Sequence, residues 1–242
     1  VTAVYLNPIF EAPSNHLYDT SDYFRIDPYL GSMGTFQSLI NSAQQRGIQI
    51  ILDGVFNHTS SDSIYFDRYS RHPTVGAYES QGSGFFDWYT FYEWPDSYNS
   101  WWGFNNLPVL TETQGVKDFI YGMEDRSVAG WWIEHMAAGW RLDAAPDKSH
   151  EWWREFRPSV KAVNPDAILI GEIWDDASPW ILGDELDTTM NYRFRRALLG
   201  FLNGDSSDPN QGAIRGLNPD QFDSVLQSIK EDYPPPAYDA AM

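Results

Sequence analysis

The chain has 242 residues, 42% of them hydrophobic, with a formal net charge of −18, an isoelectric point near 4.4 and no cysteine. Length and apolar content allow one large domain, or a domain with an insertion, around a sizeable core. The charge makes phosphate backbones poor partners, the lack of cysteine excludes disulfides and thiolate chemistry, and no apolar run is long enough to span a membrane. No signal peptide is recognised and the compartment stays open; because Val1 opens directly into a strand, the chain is expected to begin inside a longer protein.

Residues 2–6 read as a buried strand. The segment 7–34 is rich in Pro, Asn, Asp and Tyr; long structured loops are usually functional, and Tyr18 and Asp22 lie in this one. Thr35 is placed as the cap of a helix with Phe36, Leu39, Ile40 and Ala43 on its apolar face and Gly47 at its C-terminal end. Residues 48–56 are apolar at nearly every position, as a parallel strand covered on both faces should be, and Asp53 interrupts them. From 59 to 110 periodicity vanishes and Trp88, Tyr89, Phe91, Trp101, Trp102 and Phe104 crowd together, too long a stretch for a plain loop. One long helix is expected over about 114–136, followed by a strand carrying Arg141 and Asp143. A helix over 149–163 then sets Trp153, Phe156, Val160 and Val163 on one face, and a strand at 168–174 carries Glu172. A strand within 186–192 and helices at 192–202 and 219–232 complete the pattern, the last helix with Asn218 as cap and Pro219 at its first position.

The stretches Gly139-Trp140-Arg141-Leu142-Asp143-Ala144-Ala145-Pro146-Asp147 and Ile168-Leu169-Ile170-Gly171-Glu172-Ile173-Trp174 are short apolar runs that each end in a carboxylate. With the helix between them they form a βαβ unit. Its strands should be parallel neighbours, with both carboxylates at the C-terminal strand ends where a βα-barrel keeps its catalytic groups. Two carboxylates facing across a cleft suit glycosidic bond cleavage. Taken alone, an Arg-x-Asp pair on a strand is a plain salt bridge.

These two stretches resemble the second and third signature regions of the α-amylase superfamily, glycoside hydrolase family 13. Asp53-Gly54-Val55-Phe56-Asn57-His58 resembles the first. The run 5–31, with Asn7-Pro8-Ile9-Phe10-Glu11-Ala12-Pro13-Ser14-Asn15-His16 and Tyr18-Asp19-Thr20-Ser21-Asp22-Tyr23, is most similar to neopullulanases, cyclomaltodextrinases and maltogenic amylases. The resemblance implies an α/β fold: a partial (β/α)8 barrel of about strands two to six, with a small domain inserted after the third strand. The parts are then 1–58, 59–110 and 111–242, with strands near residues 4, 52, 141, 170 and 188.

It further implies a retaining α-glucan hydrolase or transglycosylase, with the balance of hydrolysis and transfer open. The bonds expected to be cut are α-1,4, with α-1,6 as an open second linkage, in maltooligosaccharides, cyclodextrins or pullulan. Asp143 is the expected nucleophile and Glu172 the general acid/base. Tyr18 is expected to stack under the sugar at the cleavage point, His58 to donate to a substrate hydroxyl, and Arg141 to hold Asp143 ionised. Asp147 stands where many α-amylases carry a Lys-His pair and relatives of the neopullulanase type an acidic residue; it is expected near substrate. Asp53, paired with Arg141, and Asn57 are expected to be structural. Leu107-Pro108-Val109-Leu110 stands at a further short signature but lacks its acidic or amide residue, so no role is carried over. The family's third carboxylate is expected beyond Met242, so the chain alone is expected to be inactive. The expected partner is an α-glucan, with no nucleic acid and no membrane, and a homodimeric parent. No cofactor is required and no metal ligand is assigned; calcium is common in the superfamily, but the sequence offers no ligand cluster. Two other readings are a non-catalytic carbohydrate-binding or transporter-associated relative, against which both carboxylates count, and an inactive fragment.

Overall fold

The computed structural model describes residues 1–123, 126–208 and 212–241, in two units, Val1–Ile168 and Leu169–Met242. The first unit runs β1 (Ala3–Tyr5), β2 (Phe10–Glu11), β3 (Asp22–Ile26), α1 (Met33–Gln44), β4 (Gln49–Gly54), β5 (Phe91–Glu93), β6 (Ser97–Tyr98), α2 (Gln114–Tyr121), α3 (Val128–Glu134), β7 (Gly139–Leu142) and α4 (His150–Val163). β1 pairs in parallel with β4, Val4 opposite Ile50, and β4 pairs in parallel with β7, Asp53 opposite Arg141. The N–H of Ile168 donates to the carbonyl of Ala138 at 3.0 Å, which fixes where the next strand starts.

β4 is buried from Ile50 to Gly54 because helices cover it, the reason its sequence reads as an unbroken apolar run. Phe56 lies 5.4 Å from the Trp140 ring and 5.7 Å from Phe156 of α4. Trp132 of α3 is fully buried against Phe10 and Phe36, and its indole N–H donates to the Tyr23 carbonyl at 2.9 Å. Each such ring contributes roughly 1.5–3 kcal/mol by burial. On α4, Trp153, Phe156 and Val160 are buried as expected, while Val163 at the last turn is exposed.

Three expectations need correction in this unit. Segment 7–34 holds an antiparallel pair, β2 with β3, rather than only loop. The cap of α1 is Ser32, which accepts from the Thr35 N–H at 3.4 Å while Thr35 Oγ1 accepts from the Ser32 N–H at 2.7 Å; Thr35 is the inner half of a capping box, and Leu39 is exposed. The single helix over 114–136 is two. Gly122, at φ −55° and ψ 144°, leaves the helical region, and Ser127 caps α3 by accepting from the Gly130 N–H at 3.4 Å. Residues 124–125 of that span lie outside the described residues.

The stretch 59–110 carries little regular structure beyond β5 and β6 and is packed by rings. Phe66, with no exposed surface, has Tyr89 and Tyr98 at 4.8 Å, Tyr78 at 5.6 Å and Phe91 at 5.9 Å.

The second unit holds most of β8 (Ile168–Gly171), then β9 (Thr188–Thr189), α5 (Tyr192–Asn203), β10 (Ser206–Asp208), β11 (Gly212–Ile214), α6 (Pro219–Asp232) and α7 (Pro235–Ala240). β8 and β9 are parallel, Gly171 opposite Thr189. α6 starts as expected, with Asn218 and Gln221 forming a capping box and Pro219 inside it. α5 is tied to α6 by Arg193, which donates to Asp232 Oδ2 at 2.7 Å. The expected strand of 186–192 shrinks to two residues, and α7 is an added helix whose Ala237 carbonyl accepts from Thr188 Oγ1 at 2.8 Å.

Candidate active site

The parallel register that sets Asp53 opposite Arg141 brings four chain segments to one buried charge cluster. Arg141 Nη1 donates to Asp53 Oδ1 at 2.9 Å, to Asp53 Oδ2 at 3.0 Å and to Asp143 Oδ1 at 2.8 Å. Arg141 and Asp143 stand two apart along the chain and so project to the same side. All three residues are buried. A guanidinium in such a place is stabilising only while its carboxylates are present, since any one left alone would be a bare buried charge.

Asp53 takes two more donors. The Tyr5 and Tyr18 hydroxyls both donate to Asp53 Oδ2, that of Tyr18 at 3.0 Å. Burial pushes the Asp53 carboxyl above the usual range, against the opposing pull of Arg141 and the tyrosine hydroxyls. Burial, and then the Asp53 charge, push the Tyr18 phenol up to about 12 and raise Tyr5 further still. Both therefore stay protonated donors at any working pH.

The turn after β7 aims Asp143. Ala144 follows it in the left-handed region, φ 42° and ψ 49°, and the Asn57 amide donates to the carbonyls of Asp143 at 3.0 Å and Ala144 at 3.2 Å. Asn57, expected to be structural, is placed to hold this turn shut. His58 is buried, and burial pushes its imidazole down to about 4, so the ring is neutral near pH 7. Its Nε2 lies 3.1 Å from the Tyr18 carbonyl, an acceptor, so Nε2 carries the proton and donates there. The sequence reading has His58 donating to a substrate hydroxyl; in this structure that donor is directed at Tyr18. Tyr18, His58 and Asp143 line a pocket of about 380 Å³ together with His16, Trp101 and Phe104.

Asp147 is exposed and accepts from the Trp101 indole N–H at 2.7 Å. Trp101 lies 5.0 Å from the His58 ring, so it spans from the pocket to the loop after Asp143. The neighbouring Lys148 is buried, donates to the Leu110 carbonyl at 2.7 Å and sits 4.5 Å from the Trp152 ring; burial pushes its amine down to about 8. It ties Leu110 to the start of α4.

Glu172 follows the last residue of β8 and is half-buried. Its Oε1 accepts from the Trp174 indole N–H at 3.1 Å and from the Tyr192 hydroxyl at 3.4 Å.

Sequence reasoning missed Tyr5, Trp101 and Lys148. Tyr5 carried a weak signal, a polar-tipped ring in a run read as a buried strand. Nothing local marks the Trp101–Asp147 or Lys148–Leu110 contacts, which join residues 46 and 38 apart.

One group of acidic side chains that the fold gathers does not suit calcium. Among the described residues, Asp62, Asp67 and His72 bring one ligand atom each within 4.8 Å of one another. Arg71 Nη1 already donates to Asp62 Oδ2 at 2.6 Å, and both Asp67 oxygens accept from the backbone N–H groups of Arg71 and His72. Calcium takes six to eight oxygens; a set with an arginine in it and an imidazole as third donor does not fit.

Comparison with known proteins gives the family. The family described as "Alpha amylase, catalytic domain" matches residues 1–238. An amylopullulanase of Thermoanaerobacterium saccharolyticum is 41% identical over all of this chain and 20% of its own length. Neopullulanase 2 of Thermoactinomyces vulgaris is 38% identical over 97% of this chain and 38% of its own. The solved structure of Ttha1563 from Thermus thermophilus superposes with a TM-score of 0.89 at 36% identity, over all of this chain and 52% of that one. The chain thus spans from 14% to about half of the proteins it matches, and its α/β architecture is that of part of a (β/α)8 barrel. Matched to that family over nearly its whole length, the chain belongs to the α-amylase family of glycoside hydrolases.

Proposed function

We propose that the protein carrying this chain is a retaining α-glucan hydrolase, with Asp143 as nucleophile and Glu172 as general acid/base. The Asp143 carboxylate attacks the anomeric carbon while Glu172 gives its proton to the departing glycosidic oxygen, leaving a covalent glycosyl-enzyme. Glu172 then takes a proton from water, or from an acceptor sugar in transglycosylation, whose oxygen displaces Asp143. The observation that carries this reading is the 2.8 Å bond from Arg141 to Asp143 Oδ1, which holds one carboxylate oriented at the exit of a parallel strand.

In this reading Tyr18 stacks beneath the reacting sugar, and Asp53, Asn57 and Arg141 hold the nucleophile. His58 binds at the pocket wall, and Asp147 acts beside substrate through Trp101. Support for residues 59–110 as an inserted domain, between barrel parts 1–58 and 111–242, is the ring-packed core around Phe66. The names of the relatives, amylopullulanase and neopullulanase, support maltooligosaccharide or pullulan as substrate, with α-1,4 bonds cleaved and α-1,6 bonds also in reach. The third carboxylate is proposed to lie outside this chain, so that residues 1–242 alone are inactive.

The test is reducing-sugar release from maltooligosaccharides, pullulan and cyclodextrins by the full-length parent and by its Asp143→Asn variant. Turnover should fall by several orders of magnitude with the fold intact, because a covalent step is lost rather than packing. Near-normal turnover in the variant would remove Asp143 from its role.

A further inference from the structure

Trp102 is the most exposed of the large rings beside the pocket, with 68% of its surface open. It also sits at φ 50°, ψ 26°, in the left-handed region that a bulky side chain seldom occupies. Gly103 follows it at φ 81°, so two successive residues turn the chain and leave the indole outward. The ring does not hang free. It stacks on Trp101 with centroids 4.7 Å apart and planes 13° apart. Trp101 is fixed in turn by its N–H bond to Asp147 and by the His58 ring. A backbone strain held in place by a locked neighbour calls for a function at the side chain it displays.

We propose that Trp102 is a stacking platform for a glucosyl ring remote from the bond that is cut, so that it sets the protein's preference for longer α-glucans. This rests on the α-glucan reading above. A flat indole face matches the apolar C–H face of a pyranose. The stack reaches without interruption from the pocket, through Trp101, to Trp102. The ligand implied is neutral, since the chain carries a net charge of −18 and would repel an anionic one. Trp102 thereby becomes a specificity residue; Trp101 and Asp147 are its positioning residues.

The experiment is equilibrium binding of maltoheptaose and of maltotriose by calorimetry, in the full-length parent carrying Asp143→Asn so that ligand is not consumed. Trp102→Gly removes the ring and suits the left-handed backbone, so folding is not at risk; Trp102→Phe keeps a ring. Trp102→Gly should weaken maltoheptaose binding about 3- to 10-fold, the scale of one aromatic contact, and weaken maltotriose less. Trp102→Phe should restore most of the loss. Equal losses for both sugars, a change within about twofold for maltoheptaose, or an altered oligomeric state with binding unchanged would each overturn the proposal. Wild-type protein that shows the length-dependent binding but releases no product would sink the hydrolase reading alone.

Discussion

The cluster around Asp143 and the stretch from Thr59 to Leu110 are held together by opposite means. In the first, one guanidinium and two carboxylates are buried with two tyrosine hydroxyls, and every contact is directional. In the second, rings meet rings at 4.8–5.9 Å in edge-on, tilted and stacked geometries alike around Phe66. A charge cluster tolerates no missing member, because its neighbours lose the partner that compensates their burial. A ring cluster loses contact area in proportion to what is cut away. Position is defined by the charges, and volume is filled by the rings.

Arg141→Met tests this most severely. It leaves Asp53 and Asp143 buried without their cation and should cost about 3–5 kcal/mol of stability, together with nearly all turnover. Phe66→Ala should cost a similar amount, about 3–5 kcal/mol, by cavity formation, but turnover per folded molecule should stay within a few-fold of wild type. Denaturant melts and active-site titration of the full-length parent read both, and a Phe66→Ala protein that is folded but dead would break the contrast.

Acid should single out His58. Its ring titrates at about 4 in the fold against 6.5 when free. Between those values the unfolded chain binds the proton and the fold does not, so stability is intact above pH 6.5 and declines as pH falls toward 4. The window amounts to about 3 kcal/mol. Denaturation of His58→Gln and wild type at about pH 6.5, 5.5 and 4.5 should show the variant with the shallower slope; parallel slopes would mean His58 is not the acid-sensitive group. Tyr18→Phe is the gentlest probe. It removes one donor to Asp53 and should cost about 1 kcal/mol, whereas loss of the whole ring in Tyr18→Ala should lower catalytic efficiency by roughly a further 1–3 kcal/mol equivalent. Tyr18→Ala with unchanged efficiency would make Tyr18 a loop-packing residue only.

Most of the charge cluster was legible in the sequence, and most of the ring cluster was not. Asp53, Arg141 and Asp143 interrupt apolar runs, and a charge inside a covered strand announces its need for a partner. Even there, Tyr5 gives only a weak signal, since its hydrogen-bond partner lies 48 residues away. The helix read over 114–136 shows another limit. Val116 and Ile120 are buried as the spacing implies, but Met123, which continues the pattern, is 68% exposed because Gly122 has already left the helix. Ser32 and Thr35 are both good caps three apart, and only the geometry tells which is outside the helix. Ring packing in 59–110 depends on contacts between turns of no fixed period, so only its composition could be read in advance.

Gly139 has a mechanical consequence for Asp143. It opens β7 at φ 154°, and a Cβ there would come within 2.1 Å of the Ile168 carbonyl oxygen. At the other end of the same strand, the Asn57 amide grips the carbonyls of Asp143 and Ala144. The strand is therefore a short rod clamped at both tips, with almost no axial play. Any side chain at Gly139 must slide or tilt the rod, and the carboxylate at its far tip would travel with it. The placement of the Asp143 carboxylate is thus governed in part by a residue with no side chain, four positions upstream.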